Sequence, residues 1–131
     1  MSTLVTATVK SNSSSPVAFQ NSSGTEIGTM CRAWVNFNGT GTVAIRAQFN
    51  VSSITDNGTG DYTVNFSTAM PDANYSFGGY CTIPASRTLI FTDNPITYAA
   101  GSLRVSTGYV DSTNGSASKV DATYVNVSIF R

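Results

Sequence analysis

The densest cluster of reactive side chains in this sequence is Asp56-Asn57-Gly58-Thr59-Gly60-Asp61, an acidic, glycine-bearing stretch of the kind that holds divalent cations. It lacks the ligand at every second position and the terminal Glu of a calcium loop, and a hairpin turn accounts for each of its residues. Hydroxyl groups abound at Ser13 to Ser15 and at Ser52-Ser53, but the chain has no histidine to act as base or metal ligand. That excludes Ser-His-Asp and Cys-His chemistry. One glutamate, Glu26, and six scattered aspartates offer no pair in a pKa-raising context, so a glycosidase-type dyad has no support. Gly39-Thr40-Gly41 lacks the following Lys and helix of a phosphate-binding loop. No catalytic residue, cofactor or metal is expected, and the chain is expected not to be an enzyme.

Other residue types point to binding. Trp34 and Tyr80 fall on the strand face opposite the main apolar set, and Tyr109 sits beside Gly108 near a loop. Exposed aromatics stack on sugars or anchor interfaces. The preferred reading of Trp34 is packing against an N-terminal arm or a second layer. For Tyr109, packing and ligand contact stand level. Cys31 and Cys81 both lie in apolar alternation, which favours two buried reduced thiols over a disulfide.

These residues need a scaffold, and the composition names its class. The 131 residues fit one domain. Charged residues make up 11%, against about 25% in an average soluble chain. Ser and Thr, 18 of each, with 11 Asn and 11 Gly, take their place. Net charge is zero, so there is no electrostatic footprint for nucleic acid or an acidic membrane. The apolar run near Met1 is too short for a signal or spanning segment, so neither is expected. Nine Asn-x-Ser/Thr sites then read as strand faces and turns rather than glycan acceptors.

Residues 1–29 read as an extended arm: a short strand around Leu4 to Val9, then loop composition at Ser11 to Pro16 and Asn21 to Gly24. Such an arm is too poor in large apolar side chains to fold alone, and it is expected to lie along a neighbouring chain or to wrap its own domain. Residues 30–131 read as strand after strand, with no helix. Ala33, Val35 and Phe37 alternate with Trp34 and Asn36; Val43, Ile45, Ala47, Phe49 and Val51 form one face of a strand over 43–53; Tyr62, Val64 and Phe66 form one face over 61–68. Further strands are expected over 75–83, with a bulge at Gly78-Gly79, and over 87–92, 103–110 and 120–130, the last covered on both faces.

Asn57-Gly58 is the preferred centre of a type I′ hairpin. Centred there, the turn sets Val51 opposite Val64 and Phe49 opposite Phe66. Around Asn38-Gly39, a three- or five-residue loop with Gly39 or Gly41 at positive φ gives Phe37–Val43 and Val35–Ile45. The expected core is therefore Val35, Phe37, Ile45, Phe49, Val51, Tyr62, Val64 and Phe66, in an all-β, antiparallel two-layer sandwich of jelly-roll type.

The string Arg32-Ala33-Trp34-Val35-Asn36-Phe37-Asn38-Gly39-Thr40-Gly41-Thr42, continuing through Phe49-Asn50-Val51-Ser52-Ser53-Ile54-Thr55-Asp56-Asn57-Gly58-Thr59-Gly60-Asp61-Tyr62-Thr63-Val64-Asn65-Phe66 and Pro71-Asp72-Ala73-Asn74-Tyr75, resembles a module of tailed-bacteriophage and prophage virion proteins. It is similar to segments of small fibre-like and appendage proteins of aquatic phages over about residues 24–77. The resemblance implies a virion structural role and carries over no catalytic site. Family members often hold the module within a longer fibre; here a compact knob, a head decoration or cement protein, or a small tail appendage is expected. The expected partners are copies of the chain itself, most simply as a homotrimer, and a major capsid or tail structural protein gripped by the arm. The alternative is a tail-fibre module that binds a host-surface glycan or receptor.

Overall fold

A computed structural model describes residues 8–10, 17–83, 88–111 and 115–131, the side chains of 88–96 excepted. The strand around Leu4 and the loop Ser11 to Pro16 fall mostly outside these residues. In chain order the strands are β1 (Phe19–Gln20), β2 (Glu26–Gly28), β3 (Cys31–Asn38), β4 (Ala44–Phe49), β5 (Val51–Gly58), β6 (Asp61–Phe66), β7 (Ser76–Thr82), β8 (Thr88–Ala99), β9 (Ser102–Val110), β10 (Ala117–Lys119) and β11 (Tyr124–Phe130). One sheet has the order β4-β3-β11-β7. The other runs β5-β6-β9, with β8 on the far edge of β9 and β10 against its last residues. All pairings are antiparallel.

The two sheets face each other as a β-sandwich. Ala33, Val35, Phe37, Val125, Val127, Ile129 and Cys81 from one meet Val51, Tyr62, Val64, Phe66, Leu103 and Val105 from the other. Phe37 and Tyr62 meet edge to face across the layers at 5.1 Å. Each large side chain buried here stabilises the fold by roughly 1.5–3 kcal/mol. Jelly-roll winding crosses between sheets at nearly every connection. Here β3–β4, β5–β6 and β8–β9 each stay within one sheet, so the strand order supports the sandwich and not the jelly roll.

The expected strand over 43–53 is broken at Asn50, whose φ is 55°. That left-handed conformation interrupts the strand here, and Asn tolerates it better than most residues. The chain turns the corner there, β4 staying in one sheet and β5 entering the other. Asn50 Nδ2 donates to the Arg32 carbonyl at 3.1 Å and the Thr68 carbonyl at 3.0 Å, while its Oδ1 accepts from Thr68 N at 2.7 Å. Asn50→Ala is expected to cost about 2 kcal/mol or more, because it loses these bonds and keeps an unfavourable φ. Asn50→Gly loses the bonds but not the φ, and should cost less; urea unfolding of the two variants measures the difference. Equal losses would remove φ from the account.

Phe49 is therefore not a core residue. It ends β4, pairs with Trp34, and lies 56% exposed. The shift between Asn36 and Phe37 turns the end of β4 over, so that Ala47 and Phe49 stand opposite the outward Asn36 and Trp34. Ile45 is partly buried against the core, and the other six expected core residues are buried.

The β3–β4 loop is five residues long with Gly41 at φ 64°, as expected, but Phe37 faces Ile45 rather than Val43. The β5–β6 turn is not centred on Asn57-Gly58. Thr59 and Gly60 close it, Gly58 pairs with Asp61, and the facing apolar pairs are Val51–Phe66 and Ile54–Val64. The tertiary contacts of Gly60 fix the turn: its N–H donates to Asp121 Oδ1 at 2.7 Å and its carbonyl accepts from Thr107 N at 2.9 Å. No bulge occurs at Gly78-Gly79, where pairing with β11 runs without a shift; Gly79 leaves the inward row without a side chain between Phe77 and Cys81. β11 is covered on one face only, since Val125, Val127 and Ile129 are buried and Tyr124 and Phe130 are exposed. Cys31 and Cys81 are free thiols on strands separated by β11.

In the arm, β1 and β2 pair as a small hairpin closed by Asn21, whose Oδ1 accepts from Ser23 N at 3.0 Å and Thr25 N at 2.9 Å. Every residue of both strands is exposed.

Candidate binding surface

Strand alternation sends every second residue of β3 and β11 away from the core. On the outer side of the β4-β3-β11-β7 sheet this gathers aromatics: Trp34 at 40% exposure, Tyr80 at 60%, Tyr124 at 48% and Phe130 at 39%, with Phe49 beside them. The register places them. Phe49, Trp34, Ser128 and Gly78 lie in one row across the sheet, and Ala47, Asn36, Asn126 and Tyr80 in the next. Asn36 Nδ2 donates to Asn126 Oδ1 at 2.6 Å between the rings. The Arg46 guanidinium lies over the Tyr124 ring, 4.2 Å from its centroid, a cation–π contact. None of the four strands contains an acidic residue.

Of the aromatics singled out in the sequence, Trp34 and Tyr80 share this face. Trp34 is 40% exposed there. Tyr109 is on β9 in the other sheet, opposite Leu89 and Ser118. Phe49, Arg46, Tyr124 and Phe130 join the face unforeseen. The even-numbered alternation from Tyr124 to Phe130 was the signal for the last strand; nothing in the local sequence marks the shift that exposes Phe49.

The opposite outer face is of another chemistry. Asn57 Nδ2 donates to Thr63 Oγ1 at 2.9 Å, and Asn65 Nδ2 donates to Ser53 Oγ at 3.1 Å and Thr55 Oγ1 at 3.0 Å. Asp61, 7% exposed, takes both a bidentate Arg104 at 2.8 and 2.9 Å and Lys119 at 3.0 Å. The Arg104 hydrogen bonds, then Lys119, hold the Asp61 carboxyl down at about 2 against the opposing effect of burial. Burial, reinforced by Asp121, pushes the Tyr62 phenol well above its ordinary value, and its hydroxyl donates to Asp121 Oδ1 at 2.8 Å.

The acidic loop is thus committed to the fold. Asp56 Oδ1 accepts from Gly58 N at 2.9 Å, and Asp61 is held by two cations. Among the described residues no group of three or more His, Cys, Asp or Glu is placed to hold a metal. Thermal melts with and without a chelator are expected to coincide; a chelator-induced drop would reinstate the Asp56–Asp61 loop as a site.

Where the arm leaves the sandwich, a cleft of about 470 Å³ opens between Val17, Met30, Cys31, Arg32, Phe49 and Asn50. It adjoins the aromatic face through Phe49. The chemistry on offer across both features is stacking, apolar burial and amide hydrogen bonding. No family model, no curated protein and no solved structure matches this chain.

Proposed function

We propose that this chain is a non-enzymatic structural protein of the bacteriophage particle surface, a β-sandwich knob that docks through its N-terminal arm onto a major capsid or tail structural protein and assembles as a symmetric oligomer, most simply a trimer. The observation that carries the docking half is the arm itself. Phe19 and Ile27 are exposed, on a hairpin whose strands pair with each other and lie outside both sheets of the sandwich, and Met30, between the hairpin and β3, is exposed as well. Apolar residues held in that way gain stability only by meeting another surface. The likeness of residues 24–77 to virion modules supplies the particle.

Immunogold labelling of phage particles from infected-cell lysates, with antibody to this chain, is expected to decorate the head or tail. Deleting residues 1–24 is expected to leave the sandwich folded and to abolish incorporation. Normal copy number of the truncated chain would show that the arm is incidental. A second reading, recognition of a host-surface glycan, is favoured by the rings and amides on the aromatic face.

A further inference from the structure

We propose that the outer face of the β4-β3-β11-β7 sheet is the surface on which a second copy of this chain packs, an inference that rests on the assembling role given above. The area is of the right order. At roughly 200 Å² per ring, the exposed fractions of Trp34, Phe49, Tyr80, Tyr124 and Phe130 leave on the order of 500 Å² of aromatic surface open. That is more than half of the ~800 Å² a stable interface takes from each partner. Aromatic and Arg side chains are also the types that carry most interface energy.

The chemistry of the face selects a neutral partner. With no carboxylate on its four strands it offers nothing to a basic surface; of its two arginines, Arg46 is stacked on Tyr124 and Arg32 stands at the cleft end of β3, away from the middle of the face. One hydrogen bond, Asn36 Nδ2 to Asn126 Oδ1 at 2.6 Å, joins the two amides at the centre of the face, and their other halves, Asn36 Oδ1 and Asn126 Nδ2, are an acceptor and a donor that a packed copy has to meet. This chain, at zero net charge, is itself such a neutral partner, and a virion surface holds its copies at high local concentration. The contact continues to the sheet's edge, where β4 pairs only with β3 among the described residues and is exposed at Ala44 and from Arg46 to Phe49. An exposed strand of this kind is otherwise an aggregation liability, and a copy packed against the face covers it.

Trp34 is the single tryptophan of the chain, so its emission reports the face directly. For the full-length chain, sedimentation from low micromolar concentration upward is expected to show a monomer giving way to a closed oligomer, with Trp34 emission moving to the blue over the same range. Tyr124→Ser and Phe49→Ser are expected to weaken assembly by about tenfold or more and to suppress the blue shift, with circular dichroism confirming that they stay folded. Thr55→Lys, on the polar outer face, is expected to assemble like the parent. A parent chain that stays monomeric, or face variants that assemble as the parent does, would overturn the proposal. So would a blue shift of the dilute monomer on adding a panel of bacterial lipopolysaccharides, which would give the face to a glycan. Particle incorporation is scored separately. Assembly through this face without incorporation removes the virion reading alone, and incorporation of Tyr124→Ser at parental copy number removes this inference alone.

Discussion

Gly60→Ala is expected to lower stability by about 3 kcal/mol and the melting temperature by about 10 °C. Two costs combine. Gly60 has φ 61°, where a side chain costs about 1 kcal/mol or more. A Cβ would also stand 2.5 Å from the Thr107 carbonyl oxygen and 2.7 Å from Val120 N. Both are backbone atoms, and they cannot withdraw without opening the junction where β6 gives way to β10 along β9. The N–H bond to Asp121, which also anchors Tyr62, would be strained by the same movement. Gly41→Ala is the control: its φ is 64° and nothing lies within 4 Å of its Cβ position, so it should lose only about 1 kcal/mol. Paired thermal or urea unfolding of the two variants separates conformation from crowding, and equal losses would dismiss the crowding at Gly60.

Asp61→Asn is expected to lose about 1–2 kcal/mol at neutral pH, and the gap from the parent should close in acid. The native carboxyl is held at about 2, against an ordinary 3.8. Between those values the unfolded chain binds a proton that the native chain refuses, so acid favours unfolding. The stabilisation is therefore complete above about pH 4 and is lost as pH falls through about 2. The shift alone corresponds to roughly 2.5 kcal/mol. Partial exposure of Arg104 and Lys119, about a third each, brings the expectation down through solvent screening. Urea midpoints of both proteins from pH 7 to pH 2 measure the effect. A gap that persists unchanged to pH 2 would assign it to shape rather than charge.

The fold class was legible because alternation is a local property. Val35, Phe37, Tyr62, Val64 and Phe66 point inward wherever their strands pair, and period-2 patterning records that directly. Registers were less legible, because bulges reset them. The expected Val51–Val64 pairing assumed one unbroken strand and a turn chosen by its own residues, whereas Asn50 breaks the strand and Asp121, distant in sequence, helps to select the turn. Both deciding contacts are long-range hydrogen bonds with no signature in a ten-residue window. The aromatic face was half legible for the same reason. Trp34 and Tyr80 stood out by parity, Tyr109 was drawn in by its glycine neighbour although it belongs to the other sheet, and Phe49 was misassigned by a single shift in register.

The pairing of β3 with β11 also governs when this protein can finish folding. Asn36 and Asn126, bonded to each other at the middle of the sheet, are 90 residues apart. During synthesis β3 and β4 emerge early, yet their sheet cannot close until residues 124–130 clear the ribosome, and among the described residues β7 has only β11 to pair with in that sheet. Throughout that interval Trp34 and Phe49 sit on a two-stranded ribbon, which is marginal in water by itself. Nascent chains at high expression are then exposed to premature association through the same side chains proposed to join finished copies. Yield should accordingly rise when the expression level is lowered or a holdase chaperone is supplied.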